Sequence, residues 1–126
     1  MAYIQSIQLN HFRNYASVEL SALQCGPVVL CGMNGAGKTN ILEAISFLSP
    51  GRGLRTAKIS DLQNCKTEID ATPWSVSALV ESHYGPVRIG TGRDGYDDKR
   101  IIRINGEAAR GGQSAMTEYL SVLWLT

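Results

Sequence analysis

The sequence has few cysteines, almost no net charge and no long apolar run. Three cysteines among 126 residues, none of them in a C-x-x-C pair, argue against a disulfide framework and against a zinc site. We therefore interpret Cys25, Cys31 and Cys65 as small buried hydrophobic residues. The formal net charge of +1 gives no overall attraction to nucleic acid or to a membrane surface. Any contact with nucleic acid must then come from a local cluster of basic residues.

Signals for a membrane span or for export are also missing. The apolar runs are only a few residues long, whereas a spanning helix needs about 20 apolar residues. The N-terminus lacks the basic and apolar regions of a signal peptide, so we expect a cytoplasmic protein with no membrane partner. His11 and His83 lie far apart, without acidic or cysteine partners at metal-ligand spacing, and we interpret both as structural or exposed.

Residues 32–39 read Gly-Met-Asn-Gly-Ala-Gly-Lys-Thr, a complete match to the phosphate-binding loop G-x-x-x-x-G-K-[ST]. The apolar run 27–31 before it predicts a strand, and residues 38–48 after it predict a buried helix. In this arrangement successive backbone N–H groups point at the phosphates, and the helix adds the positive end of its dipole. A glycine-rich turn with an exposed lysine is the alternative, but it does not explain the flanking elements. The sequence therefore predicts a nucleotide site.

The residue types in this loop assign the roles. We predict that Lys38 reaches the β- and γ-phosphates and that the Thr39 hydroxyl is a ligand of Mg²⁺. The N–H groups of residues 34–39 form the cradle around the phosphates. The loop contributes as candidate binding residues Gly32, Met33, Asn34, Gly35, Ala36, Gly37, Lys38 and Thr39.

The remaining sequence predicts short strands and hairpins. Strands are predicted at 3–12 and 15–20, as an antiparallel pair, and again at 74–81, 87–90 and 101–104, where Asn105-Gly106 is a strong hairpin signal. Short helices are predicted at 59–63 and 114–120, and an apolar strand at 122–125. We therefore predict an α/β fold whose mixed sheet contains an antiparallel β-meander. A domain seldom finishes inside an apolar run, so we expect residues 1–126 to be a fragment of a larger unit.

Two clusters of polar residues leave alternatives open. Arg52, Arg55 and Lys58 carry three positive charges with no acid between residues 51 and 58. They form either a solvated basic loop or a contact with DNA phosphates or with a nucleotide at a partner's face. Arg13 and Asn14 form either a polar turn or a contact with the base and ribose. The composition does not separate these interpretations.

The residues that hydrolysis requires are not found in this sequence. Phosphoryl transfer in the phosphate-loop class needs an acidic residue at the end of a second strand, where it holds Mg²⁺ and positions water. No apolar strand here ends in a convincing pair of Asp or Glu residues. We therefore assign no catalytic residue to this chain. Nucleotide hydrolysis is expected of the intact protein, and the chain alone is expected to bind the nucleotide without hydrolysing it efficiently.

Four segments together resemble the N-terminal part of the RecF family, bacterial recombination mediators that are ABC-type ATPases related to SMC heads. The segments are Asn-His-Phe-Arg-Asn-Tyr at 10–15, the phosphate loop followed by Asn40, Leu-Glu-Ala-Ile at 42–45, and Gly-Arg-Gly-Leu-Arg-Thr at 51–56. The phosphate loop alone does not select this family, whereas the combination does. The resemblance covers nearly the whole chain, is densest before residue 62, and ends in a stretch, 122–126, that is similar to the strand before the family's Q-loop.

The resemblance implies a fold and a set of partners. The fold would be a P-loop NTPase of the ABC/SMC-head type, with residues 1–126 as lobe I and the C-terminal part of the head missing. The protein would bind ATP and Mg²⁺, dimerise head to head and hydrolyse ATP slowly. It would bind junctions of single- and double-stranded DNA in recombinational repair, replication restart and the SOS response to DNA damage, with RecR and RecO as partners.

The resemblance also implies site residues by position. Arg13 and Asn14 would lie near the adenosine, residues 32–39 together with Asn40 would hold the phosphates, and Arg55 would match the arginine that senses nucleotide and DNA. The Q-loop glutamine, the ABC signature and the Walker B acid do not lie within the 126 residues. Three alternatives remain open. The first is another ABC-type head, either SMC-like or of the overcoming-lysogenization type. The second is a transporter's nucleotide-binding subunit, which the Phe-Arg-Asn segment suits poorly, and the third is a non-catalytic binding module.

Overall fold

A computed structural model describes residues 2–13, 15–29, 31, 38–49, 62, 73–93, 99–109, 116 and 119–120. The elements are β1 (Tyr3–Phe12), β2 (Tyr15–Leu20), α1 (Lys38–Ser46), β3 (Ser75–Ser82), β4 (Gly85–Arg93), β5 (Arg100–Ile104) and β6 (Glu107–Ala108). The six strands form one sheet in the order β2-β1-β3-β4-β5-β6, and every neighbouring pair is antiparallel. In the sheet, β1 lies between β2 and β3. Along the sequence, the phosphate loop and α1 come between these two partner strands.

A tight turn fixes the register of the last two strands of the meander. Asn105 and Gly106 have φ angles of 53° and 85°, the pair of positive values that a two-residue type I′ hairpin requires. The predicted hairpin is therefore confirmed, and it joins β5 to the short strand β6. The Asn105 side chain also accepts a hydrogen bond of 3.0 Å from the backbone N–H of Arg88. The turn is thus tied to β4 as well as to its own strands.

The core lies between α1 and one face of the sheet. Burial alternates along β3, where Val76, Ala78 and Val80 are fully buried and their neighbours are partly exposed. Ala44, Phe47 and Leu48 from α1 and the turn after it belong to the same buried cluster. The helix is therefore packed on the sheet, as its apolar sequence predicts.

Three aromatic rings join the sheet to the end of α1. Phe12, Phe47 and Trp74 have no exposed surface. The Phe12 and Trp74 ring centroids are 5.5 Å apart, those of Phe47 and Trp74 are 5.7 Å apart, and those of Phe12 and Phe47 are 6.3 Å apart. Edge-to-face and tilted rings at these separations are favourable arrangements. This aromatic cluster connects the end of β1, the end of α1 and the residue before β3.

Gly92→Ala is expected to lower the free energy of unfolding by about 1–3 kcal/mol. A Cβ atom at Gly92 would lie 2.7 Å from the carbonyl oxygen of Trp74, a backbone atom that already accepts a hydrogen bond from the Arg93 N–H. Gly90 lies two residues earlier on the same face of β4, and a Cβ atom there meets nothing within 4 Å. Gly90→Ala is therefore the matched control in chemical denaturation, and equal losses in the two variants would contradict the explanation.

The predicted strand at 27–31 is wrong for its described residues. Pro27, Val28, Val29 and Cys31 lie in no strand, and the two valines are 53% and 79% exposed. A strand needs a neighbour that pairs with its N–H and C=O groups, and an apolar one needs a surface that covers it. None of the six described strands pairs with this run. The interpretation of the cysteines as buried is also wrong, because Cys25 and Cys31 are exposed, while Cys65 lies outside the described residues.

The other predicted elements have mixed outcomes. The strand pair at 3–12 and 15–20 is confirmed, and α1 starts at Lys38 as predicted but ends at Ser46. The predicted helices 59–63 and 114–120 lie outside the described residues except for Leu62, Met116, Tyr119 and Leu120, and the strand 122–125 lies wholly outside them. The described strands supply the antiparallel meander but no parallel pair of the predicted mixed sheet. None of the helices in the described ranges has the length and apolar character to cross a membrane.

Candidate nucleotide site

The phosphate loop leads directly into the first turn of α1. Residues 32–37 and the side chain of Lys38 lie outside the described part of the structure. The Thr39 side chain is exposed at the start of the helix, and the first turn contains no acidic residue. The first N–H groups of a helix have no partner inside it, and the helix dipole is positive at this end. The start of α1 therefore offers N–H donors and a hydroxyl group, with no carboxylate in its first turn to repel a phosphate.

Thr39 also fits the requirements of a magnesium ion. Mg²⁺ prefers oxygen ligands, retains several waters and takes only one or two ligands from the protein when it is bound with substrate phosphates. The exposed Thr39 hydroxyl supplies one such oxygen. Across the described ranges, no group of three or more His, Cys, Asp or Glu residues is placed to hold a metal ion. The chemistry at Thr39 thus suits an ion held mainly by phosphate oxygens and water.

A partly buried ion pair joins the turn between β1 and β2 to α1. Nε and Nη2 of Arg13 donate hydrogen bonds of 2.9 and 3.1 Å to Oε1 and Oε2 of Glu43. The Glu43 side chain has no exposed surface, and the Arg13 side chain is 24% exposed. Two parallel hydrogen bonds of this kind fix the direction of both groups as well as their separation. Glu43 lies one helical turn after Thr39 in the nine-residue α1, so the pair holds the helix near its middle.

The backbone of this turn is unusual. His11 and Arg13 both have a φ of 52°, a left-handed conformation that side chains other than glycine seldom adopt. Phe12, between them, is fully buried in the aromatic cluster, and the Arg13 N–H donates a 2.7 Å hydrogen bond to the carbonyl oxygen of Leu62. The two conformations thus place Phe12 in the core and Arg13 against α1. Nδ1 of His11 is buried without a hydrogen-bond partner.

A second arginine contacts the C-terminal end of α1. Nη2 of Arg100, on β5, donates to the carbonyl oxygens of Phe47 and Ser49, and its Nε donates 2.7 Å to Oγ1 of Thr91. Its guanidinium also lies 5.0 Å from the centroid of the Phe47 ring. Burial lowers the pKa of Arg100 to about 10, so the group stays protonated at neutral pH. The last turn of α1 has no basic residue of its own, and Arg100 supplies the positive charge that this end of the helix dipole favours.

The structure describes only a few of the predicted site residues. Arg13 lies at the β1–β2 turn, and Lys38, Thr39 and Asn40 lie at the start of α1, although the Lys38 side chain is outside the described part. The rest of the predicted site lies outside the described residues: Asn14, Gly32, Met33, Asn34, Gly35, Ala36, Gly37, Arg52, Arg55 and Lys58. Sequence reasoning missed Glu43 and Arg100. A single acid in the apolar stretch 41–48 was the available signal for Glu43, because acids are seldom buried without a partner. No sequence signal links Arg100 to α1.

Known proteins resemble this chain over most of its length. The family model described as RecF/RecN/SMC N terminal domain matches residues 3–120. The DNA replication and repair protein RecF of Allorhizobium ampelinum is 45% identical over 126 residues, which cover 98% of this chain and 32% of that protein. The protein of the same name from Rhizobium meliloti is 46% identical, with the same coverage. The chain spans about a third of the length of these curated relatives.

Solved structures give the same fold. The recombination mediator protein RecF-ATP in the RecFOR pathway matches with a TM-score of 0.71 and 28% identity, over 91% of this chain and 29% of that chain. The SMC head domain from Thermotoga maritima matches with a TM-score of 0.59 and 18% identity, over 85% of this chain and 38% of that one, a likeness that shows the fold alone. These neighbours confirm the predicted fold class, a P-loop ATPase head of the ABC/SMC type.

Proposed function

Because the chain belongs to the family of RecF/RecN/SMC N-terminal domains, we propose that it is the ATP-binding lobe of a RecF-type ATPase that acts in DNA repair. The complete phosphate loop at the start of α1 is the observation that carries this proposal. The acid-free first turn of α1 and the exposed Thr39 hydroxyl support it. The similar solved structure is described as RecF-ATP, which supports ATP as the nucleotide.

The roles of the site residues follow from the loop chemistry. Lys38 contacts the β- and γ-phosphates, Thr39 holds Mg²⁺, and the loop glycines let the backbone N–H groups approach the phosphates. Asn40 continues the phosphate site, and Asn14 lies beside the adenosine. Residues 1–126 form the N-terminal lobe of the head, and the groups that activate water lie outside this sequence.

The activity proposed for the whole protein is ATP-controlled DNA binding. The protein forms a homodimer around two ATP molecules, binds junctions of single- and double-stranded DNA in the cytoplasm, and works with RecR and RecO. The curated relatives are named DNA replication and repair proteins, and the similar structure belongs to the RecFOR pathway, which supports these partners. Slow hydrolysis then releases the protein from DNA.

Lys38→Ala is expected to weaken Mg-ATP binding about 10- to 150-fold, because hydrogen bonds to charged groups contribute about 1.5–3 kcal/mol. The measurement is calorimetric titration of the full natural protein with Mg-ATP. The same variant serves as the blank in ATP turnover measured with and without gapped duplex DNA. DNA-stimulated turnover that disappears in Lys38→Ala supports the proposal. An unchanged affinity for Mg-ATP would refute the nucleotide site. ATP turnover that does not change when DNA is added would favour another ABC-type ATPase.

The proposed contact of the basic loop with DNA has its own test. Replacing Arg52 and Arg55 with glutamate removes two of the three cations in 51–58. DNA binding should weaken, and the slope of log K against log salt should fall by about 0.9 for each lost phosphate contact, while ATP affinity stays unchanged. DNA binding and a salt slope equal to those of the natural protein would return this segment to the interpretation of a solvated loop.

A further inference from the structure

We propose that Arg13 and Glu43 are positioning residues of the nucleotide site: their partly buried ion pair sets the orientation of α1, whose first turn begins with Lys38 and Thr39. This inference rests on the proposed function, since it concerns the affinity for Mg-ATP. It assigns to Arg13 a role other than contact with the adenosine. Its guanidinium is directed at Glu43 by two hydrogen bonds, at 2.9 and 3.1 Å.

The position of Glu43 along α1 is the first argument. Glu43 is four residues after Thr39, which places it about 6 Å further along the helix axis. A fork of two hydrogen bonds fixes the angle between the groups it joins, whereas apolar packing allows sliding. Because the carboxylate has no exposed surface, the pair is little screened by salt. The ion pair is therefore a directional contact near the middle of the helix, between its phosphate-loop end and the anchor at Phe47.

The distribution of contacts along α1 is the second argument. Phe47 and Arg100 hold the C-terminal end of the helix through the aromatic cluster and the carbonyl hydrogen bonds. A nine-residue helix is about 13 Å long, so a rotation of about 5° around that end would move the other end by about 1 Å. The ion pair opposes this rotation because it ties Glu43 on α1 to Arg13 in the β1–β2 turn. A shift of that size would misplace the N–H groups that face the phosphates.

The rigidity of the β1–β2 turn is the third argument. An anchor can orient a helix only if the anchor itself is fixed. The left-handed conformations of His11 and Arg13 persist only because their surroundings determine them, and Phe12 in the core and the hydrogen bond from Arg13 to Leu62 supply that constraint. Backbone strain of this kind is concentrated at sites that need a preformed geometry. The turn is thus a fixed support for the helix.

Glu43→Gln is the first test, since it keeps the size of the side chain and removes the charge. When this change is made in the full natural protein, the dissociation constant of Mg-ATP should rise about 10-fold, as it does when a group that orients a ligand-binding residue is lost. The measurement is made well below the thermal midpoint of the variant. Arg88→Gln is the matched control, because Arg88 is exposed and hydrogen-bonds Ser77 on the sheet. If Glu43→Gln binds Mg-ATP as tightly as the natural protein does, the proposal is overturned.

A double variant separates positioning from stability. Arg13→Met combined with Glu43→Met replaces the ion pair by apolar groups, a change that often restores or exceeds the stability of a buried pair. We expect the thermal midpoint to recover towards that of the natural protein while the affinity for Mg-ATP stays about 10-fold weaker. Recovery of both would show that the pair contributes only stability and would overturn the proposal.

Lys38→Ala distinguishes a failure of this inference from a failure of the proposed function. If Lys38→Ala weakens Mg-ATP binding and Glu43→Gln does not, the positioning role alone is wrong. If neither variant changes the affinity, the nucleotide site itself is wrong and the positioning role is refuted with it. Weaker binding in both variants, with a natural affinity in Arg88→Gln, is the expected result.

Discussion

Trp74→Ala is expected to lower the free energy of unfolding by about 3–5 kcal/mol, the range for removing a large aromatic side chain from a core. Trp74 has no exposed surface and is the largest of the fully buried side chains in the described residues. Its ring is in contact with Phe12 and Phe47, so its removal leaves a cavity where the sheet meets α1. The surrounding backbone is fixed by strand pairing and relaxes little into such a space.

The measurement is urea denaturation of the full natural protein, followed by circular dichroism. Tyr84→Ala is the matched control, because it also removes an aromatic side chain but from a turn where the ring is 75% exposed. That variant should change the free energy of unfolding by about 0.5 kcal/mol or less. Equal losses in Trp74→Ala and Tyr84→Ala would show that the aromatic cluster is not the main packing contact between sheet and helix.

The predicted loss at Trp74 depends on a contact that the sequence does not reveal. Local patterns were sufficient for the strands: Tyr3–Phe12 is rich in β-branched and aromatic residues, Ser75–Ser82 alternates between apolar and polar residues, and Asn105-Gly106 specified its own turn. The meeting of Phe12, Phe47 and Trp74 comes from three distant segments. No periodicity within a single segment encodes it. The order of strands, with β1 between β2 and β3, is likewise a property of the whole chain.

The run at 27–31 shows where local patterns mislead. Its apolar residues have high strand propensity, yet Val28 and Val29 are exposed and lie in no strand. Strand propensity expresses how well a side chain fits a half-buried pleated surface, so it has no effect where no neighbouring strand supplies that surface. Among the described elements no such neighbour is present for this run. Helix α1 differs because its hydrogen bonds are internal and the sheet covers its apolar side.

The candidate site divides in the same way. The phosphate loop could be predicted because eight consecutive residues carry its chemistry, and the start of α1 at Lys38 follows from it. The Arg13–Glu43 pair spans 30 positions and the contact of Arg100 with Phe47 spans 53. An isolated acid in an apolar helix indicates that a partner exists, but it does not say which of the basic residues supplies it. Only the fold makes that choice.

Arg13→Ala has the second large expected effect, a loss of about 3 kcal/mol in the free energy of unfolding. The variant leaves the Glu43 carboxylate buried without its guanidinium partner, and removing one member of a buried pair costs more than the pair contributes. The remaining polar contacts of Glu43 place the expected loss at the lower end of the 3–5 kcal/mol range for such pairs. The measurement is again urea denaturation of the full natural protein.

Arg88→Ala is the control for this prediction, because it removes an exposed arginine that hydrogen-bonds one serine on the sheet. Its loss should be about 0.5 kcal/mol or less. If the two arginine variants lose the same stability, the carboxylate of Glu43 is solvated or paired by other groups once Arg13 is removed. A large loss in Arg13→Ala alone would show that the β1–β2 turn and α1 depend on each other for stability. Arg13 in the turn neutralises the charge of Glu43, which is buried in the helix.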